Sequence, residues 1–176
     1  NSWKGQEIFI EALNILIQDY NNINFQAIIL GSDQGRNVYR KKLERLVQQF
    51  NLTQKIKFAD NYKNMPVAYY ISDVVVSASI EPEAFGRVSV EAQAMKKPII
   101  ASNIGGSKET VIDNKTGLLF DSGNPKSLCD KLDEIIKLDS LTLDLMGREG
   151  RKNVINRFNI EKMCLNTYSE YKKLIN

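Results

Sequence analysis

Histidine is absent from all 176 residues. That absence removes a Ser-His-Asp triad, a Cys-His dyad and any histidine-ligated zinc site from this chain. Cysteine is scarce. Cys129 and Cys164 lack C-x-x-C spacing and fall within helical patterns, so both are expected to be reduced, packed thiols. No run approaches the roughly 18 apolar residues that a membrane-spanning helix needs. Charge of one sign is missing as well: 24 Lys and Arg against 21 Asp and Glu leave a formal +3. That excess is too slight to imply nucleic acid. The one basic cluster, Arg40-Lys41-Lys42, reads as a solvated helix face. If the chain is an enzyme, its chemistry rests on carboxylates, lysine, arginine and backbone dipoles.

Two phosphate-binding patterns are missing too. Gly31-Ser32-Asp33-Gln34-Gly35 bears glycine but matches neither G-x-G-x-x-G nor G-x-x-x-x-G-K-[ST]. Walker-type NTPase and dinucleotide-fingerprint readings therefore lack their residues. The chain opens Asn1-Ser2-Trp3-Lys4, with no initiator Met and no signal-peptide pattern. That opening has the character of a strand-to-helix loop, and the expectation is a fragment whose first strand lies upstream. Otherwise the length suits one domain over residues 1–176, and the 43% apolar content is that of a globular core.

What is present is alternation. Short β-branched or apolar runs at 25–30, 56–59, 73–77, 98–101 and 117–120 read as strands. Between them, apolar residues at helical spacing mark helices over 5–20, 39–50, 65–71 and 107–112, with another beginning after Gly86. Asn124-Pro125 looks like an N-cap followed by proline at the first helical position. It opens a helix through Ile136, and two more follow at 140–157 and 160–175. Strands alternating with helices imply an α/β fold: a doubly wound, Rossmann-like parallel sheet flanked by helices, closed by a helix pair. Ligands in that architecture bind at the carboxyl ends of the strands.

The chemistry concentrates between Ile80 and Pro98. A buried strand runs into a loop, and the loop into a helix whose apolar residues are Val88, Ala92 and Met95. The free amides of Phe85, Gly86, Arg87 and Val88 would crown that helix and offer a site to an anion such as phosphate. Gly86 permits close backbone approach. Phe85 suits either this role or a place in the core, and Arg87 either the phosphate or solvent. Glu83 lies before the helix and Glu91 inside it, roughly 7–8 Å along the axis. Carboxylates accept vicinal hydroxyls well. A ligand with hydroxyls on both sides of a pyrophosphate, such as a nucleotide sugar, suits the arrangement.

Glu83-Ala-Phe-Gly-Arg-Val-Ser-Val-Glu91 resembles the E-x7-E signature of retaining GT-B glycosyltransferases of the family 4 type (glycosyl transferases group 1). Other stretches resemble the same family in the same order. These are Trp3-Lys4-Gly5, Ile28-Ile29-Leu30-Gly31, Gly105-Gly106-Ser107-Lys108-Glu109 and Thr116-Gly117-Leu118-Leu119-Phe120. An acidic pair at this spacing is common; ordered motifs over nearly the whole chain are specific. The resemblance implies the donor-binding C-terminal half of a GT-B fold, which transfers a sugar from a nucleoside diphosphate sugar with retention and no required metal or other cofactor. It implies catalytic roles for Glu83, near the donor sugar, and Lys4, at the departing diphosphate. It implies donor contacts from Glu91 (ribose hydroxyls), Phe85, Gly86, Arg87, Val88 and Gly31, and base reading at Asp60 and Asn61. A second family cation, an arginine a few residues before Lys4, would lie upstream of Asn1. Implied partners are an N-terminal acceptor domain and, through it, the cytoplasmic face of a membrane, in polysaccharide or glycolipid synthesis. A non-catalytic sugar-nucleotide-binding homologue, or an epimerase on the same fold, remains the alternative at this stage.

Overall fold

A computed structural model describes residues 2–20, 23–32, 35, 37–60 and 62–175. After a 3-10 turn at Ser2–Lys4, the order is α1 (Gln6–Asp19), β1 (Ala27–Leu30), α2 (Asn37–Gln49), β2 (Ile56–Ala59), α3 (Met65–Ile71), β3 (Val75–Ser77), α4 (Arg87–Ala94), β4 (Ile99–Ser102), α5 (Ser107–Thr110), β5 (Gly117–Phe120), α6 (Pro125–Ile136), α7 (Ser140–Arg157) and α8 (Ile160–Ile175). Asn124 caps α6, its side chain accepting from the amides of Lys126 and Ser127, with Pro125 in the first turn. Asp139 caps α7 through the Thr142 amide.

All the ladders are parallel, but they form two groups. β1 pairs with β2, and β3–β4–β5 form a three-stranded sheet with β4 in the middle. β4 is buried along its whole length, and its alternate residues face two separate cores. Ile100 joins Leu118, Phe120 and residues of α1, α2 and α6, including Ile10, Leu16, Leu43 and Leu128. Ile99 and Ala101 face the other way, with Tyr69, Ala92 and Val111. A strand covered by helices on both faces is the mark of a doubly wound sheet, and it explains why these strands read as continuous apolar runs.

The fold ends in the expected helix pair, but the two helices differ. α7 buries Met146, Gly147, Gly150 and Asn153, whereas α8 buries nothing. The expectation of two packed thiols is corrected here. Cys129 is buried in α6, and Cys164 is exposed on α8, because helical periodicity marks an apolar face without saying whether anything covers it. Among the described residues, no helix is long and apolar enough to cross a membrane.

Candidate functional site at the start of α4

The loop between β3 and α4 rests on the turn between β4 and α5. A Cβ on Gly106 would lie 2.6 Å from the Phe85 carbonyl carbon, and one on Gly105 2.6 Å from the Glu83 oxygen. Only glycine allows that approach. The Gly106 amide then donates to the Glu83 carbonyl at 2.7 Å, which fixes the loop that carries Glu83 and Phe85. The G-G pair acts as the seat of the E-x7-E segment.

α4 starts at Gly86, which sits in the left-handed region (φ 75°, ψ 60°) and gives the helix no side-chain cap. The Ser89 amide donates to the Gly86 carbonyl at 3.0 Å, which leaves the Arg87 and Val88 amides at the positive end of the helix dipole. Beneath Gly86 lie two hydroxyls, Ser107 Oγ and Ser89 Oγ, 3.5 and 3.9 Å from where a Cβ would be. Ser89 is fully buried, and its Oγ has no hydrogen-bond partner among the described residues. Arg87 is exposed, Val88 half-buried, and Phe85 43% exposed. The Phe85 ring packs edge-on against Phe158 at the α7–α8 junction, with centroids 5.5 Å apart.

Glu83 is ion-paired with Lys4, Nζ to Oε1 at 2.9 Å, and accepts a 2.5 Å hydrogen bond from the Ser79 hydroxyl on the same oxygen. The Lys4 ammonium also lies 4.3 Å from the centre of the Trp3 ring. The Ile80 amide donates to the Trp3 carbonyl at 2.8 Å, which ties the chain start to the end of β3 and brings Lys4 to the site. Burial disfavours ionisation of Glu83. The Ser79 hydroxyl, Lys4 and Arg87 outweigh it, so the carboxyl sits below its ordinary value.

Glu91 lies one turn into α4, half-buried. Its Oε2 accepts from the Tyr69 hydroxyl at 2.8 Å. Lys4, Glu83, the segment from Phe85 to Val88, and Glu91 thus gather around one helix start. Gly31 and Asp60 follow β1 and β2, in the other ladder; the Gly31 amide donates to the Ala59 carbonyl at 3.0 Å. The Asp60 side chain is 91% exposed, with Arg40 at 3.7 Å. Asn61 lies outside the described residues.

Three residues that the sequence reading passed over belong to this neighbourhood: Tyr69, Ser79 and Phe158. Ser79 had a signal, since it stands four residues before Glu83 on the strand's exit. The other two reach the site only through tertiary packing.

Comparison with known proteins fits this geometry. Residues 1–153 match the family model described as glycosyl transferases group 1. A crystal structure of a glycosyltransferase from Rickettsia africae superposes on the whole chain with a TM-score of 0.90 and 34% identity, the chain covering 46% of that protein. The Anabaena protein HepE, solved in complex with UDP-glucose, superposes on 98% of the chain with a TM-score of 0.86 and 27% identity, again covering 46% of that protein. The Staphylococcus aureus capsular polysaccharide biosynthesis glycosyltransferase CapM is 28% identical over 155 residues, 88% of this chain and 39% of CapM. The chain thus spans less than half the length of these three proteins. With its helix-flanked parallel strands and terminal helix pair, it has the architecture of a C-terminal GT-B domain and belongs to the glycosyl transferases group 1 family.

Proposed function

We propose that this chain is the nucleotide-sugar-binding half of a retaining glycosyltransferase, acting with an N-terminal acceptor domain. One observation carries the reading. An uncapped helix N-terminus, seated on the Gly105–Gly106 turn, stands between two carboxylates, one of which already holds a lysine. The diphosphate of the donor would take the amides of Phe85 and Gly86, just before α4, and of Arg87 and Val88 in its first turn, with the Ser89 hydroxyl beneath them. Lys4 would supply the mobile cation for the charge that develops as the sugar departs. Glu91 would accept the ribose hydroxyls and Glu83 those of the sugar. Gly31, Asp60 and Asn61 would border the base.

In this reading a diphosphate competes with Glu83 for the Lys4 ammonium, and the carboxylate it releases turns to the sugar. Complexes of HepE with UDP and with UDP-glucose support a uridine nucleotide as the first donor to test. The CapM relationship supports a role in envelope polysaccharide or glycolipid synthesis. The hexosyl group and a cytoplasmic setting belong to the same proposal, with any membrane contact made peripherally through the acceptor domain. The two unpaired cysteines suit a reducing compartment.

The test is calorimetric titration of the 176-residue chain with UDP, followed by an assay for sugar transfer from UDP-glucose. Weak UDP binding that Glu91→Ala weakens by tenfold or more, with no transfer, is the expected result. Robust transfer by the chain alone would overturn the division between donor and acceptor halves. UDP binding indifferent to Glu91→Ala would remove the ribose role of that residue.

A further inference from the structure

Tyr69 belongs to α3, seven residues long, and no sequence pattern draws attention to it. Its ring is 6% exposed and packed in the smaller core with Ala92, Ile99, Ala101 and Val111, bordered by Met65, Val75, Met95 and Leu119. From there its hydroxyl emerges to donate to Glu91 Oε2 at 2.8 Å, across 22 residues of sequence. Burial, and then the bond to Glu91, push the phenol well above its ordinary value, so it stays a donor at every working pH.

A glutamate on a helix surface has three rotatable bonds and samples many positions for its carboxylate. Here one carboxylate oxygen is held by a phenol whose ring is locked in the core. An ionised carboxylate offers about four acceptor positions. Tyr69 takes one on Oε2 and leaves Oε1 untouched, so two adjacent hydroxyls can still be received, one on each oxygen. We infer that Tyr69 is a positioning residue: it holds the Glu91 carboxylate in the orientation that accepts a vicinal diol, and so sets the preference of the site for a ribonucleotide over its 2′-deoxy counterpart. The inference rests on the proposed ribose role of Glu91.

The experiment measures Kd for a nucleoside diphosphate and its 2′-deoxy form, using whichever of UDP, GDP and ADP binds the chain most tightly. Four proteins are compared: the wild type, Tyr69→Phe, Glu91→Gln and the double variant. Tyr69→Met, which also fills the core and donates no hydrogen bond, provides a second reading should the Phe variant fold poorly. The wild type should prefer the ribonucleotide by about tenfold or more, the worth of a hydrogen bond to a charged group. Tyr69→Phe and Tyr69→Met should narrow that preference about fivefold by weakening the ribonucleotide and sparing the deoxy form. Glu91→Gln should narrow it at least as far, and adding Tyr69→Phe to it should change nothing further. A merely structural tyrosine would weaken both ligands equally. If both Tyr69 variants keep the wild-type preference while Glu91→Gln loses it, the positioning role is overturned and the ribose reading stands. If the wild type shows no preference, or binds none of the three nucleotides, the ribose reading fails and this inference with it.

Discussion

At the scale of single residues, Glu83 carries the most testable electrostatics. Its side chain is 16% exposed, and it shares one oxygen between the Ser79 hydroxyl and the Lys4 ammonium. The folded state holds its carboxyl below the ordinary 4.5. Folding therefore favours the ionised form. The stabilisation is complete above the unfolded value and disappears as pH falls through the lower folded one. Glu83→Gln should destabilise the chain at pH 7, and the difference from wild type should shrink as pH drops below about 4.5. Denaturant unfolding at pH 7, 5, 4 and 3 checks this. A difference that stays constant across the series would mean that the pair contributes nothing to folding. Glu83 stood out in the sequence as the first acid of the E-x7-E segment, eight residues before Glu91. The pairing of Glu83 with Lys4 was not legible: the lysine was assigned to an anion, and in the structure it holds the carboxylate.

At the scale of elements, a buried polar network joins α4 to α7. Gln93, fully buried, donates through Nε2 to the carbonyls of Ser89 and Thr110, and its Oε1 accepts from Asn153 Nδ2 at 2.9 Å. Asn153 also donates to the Thr110 carbonyl and accepts from Arg157. The amide pair thus fixes the helix that bears Glu91 against both α5 and α7. Asn153→Leu would strand the buried Gln93 carbonyl oxygen without its donor, at a cost of about 2–3 kcal/mol. Urea unfolding measures it, and a change within about 0.5 kcal/mol would show that water replaces the lost donor. α8 contrasts with this. Ile160, Met163, Tyr168, Tyr171 and Leu174 are all more than half exposed. Removing residues 160–176 should leave the thermal midpoint within about 4 °C of the intact chain, as differential scanning calorimetry would show. A large drop would mean that the helix supports the core.

The helices were legible because their signals are local. Asn124-Pro125 announces the start of α6, and the apolar spacing of the last 37 residues gives the bounds of α7 and α8. Strand positions were legible for the same reason, as β-branched runs between breakers. The grouping of the strands was not, because pairing is a long-range property that no window of sequence records. The same holds for Phe158 beneath Phe85 and Tyr69 beside Glu91, whose partners lie far away along the chain.

At the scale of the whole molecule, the two faces of β4 explain why the site is where it is. Ile100 anchors the sheet to α1 and α6, and Ile99 and Ala101 anchor it to α3 and α4. The loops that follow β3 and β4 leave from the same ends of adjacent parallel strands. Doubly wound sheets place ligands at that edge, and here the edge carries Glu83, the start of α4 and the Gly105–Gly106 seat. Ordered motifs made the family legible from sequence; the E-x7-E segment and the Gly105–Gly106 stretch lie at strand ends on this edge, while Thr116–Phe120 leads into and forms β5.

The most direct test of the account is a ¹⁵N-resolved NMR titration of this chain with UDP, GDP and ADP, repeated on Glu91→Ala. One nucleotide should shift the amides of Gly86, Arg87 and Val88 most strongly, and the variant should weaken its binding by tenfold or more, about 1.4 kcal/mol. If all three nucleotides at millimolar concentration leave those amides unmoved, or if the largest shifts fall elsewhere, the start of α4 is not the diphosphate site.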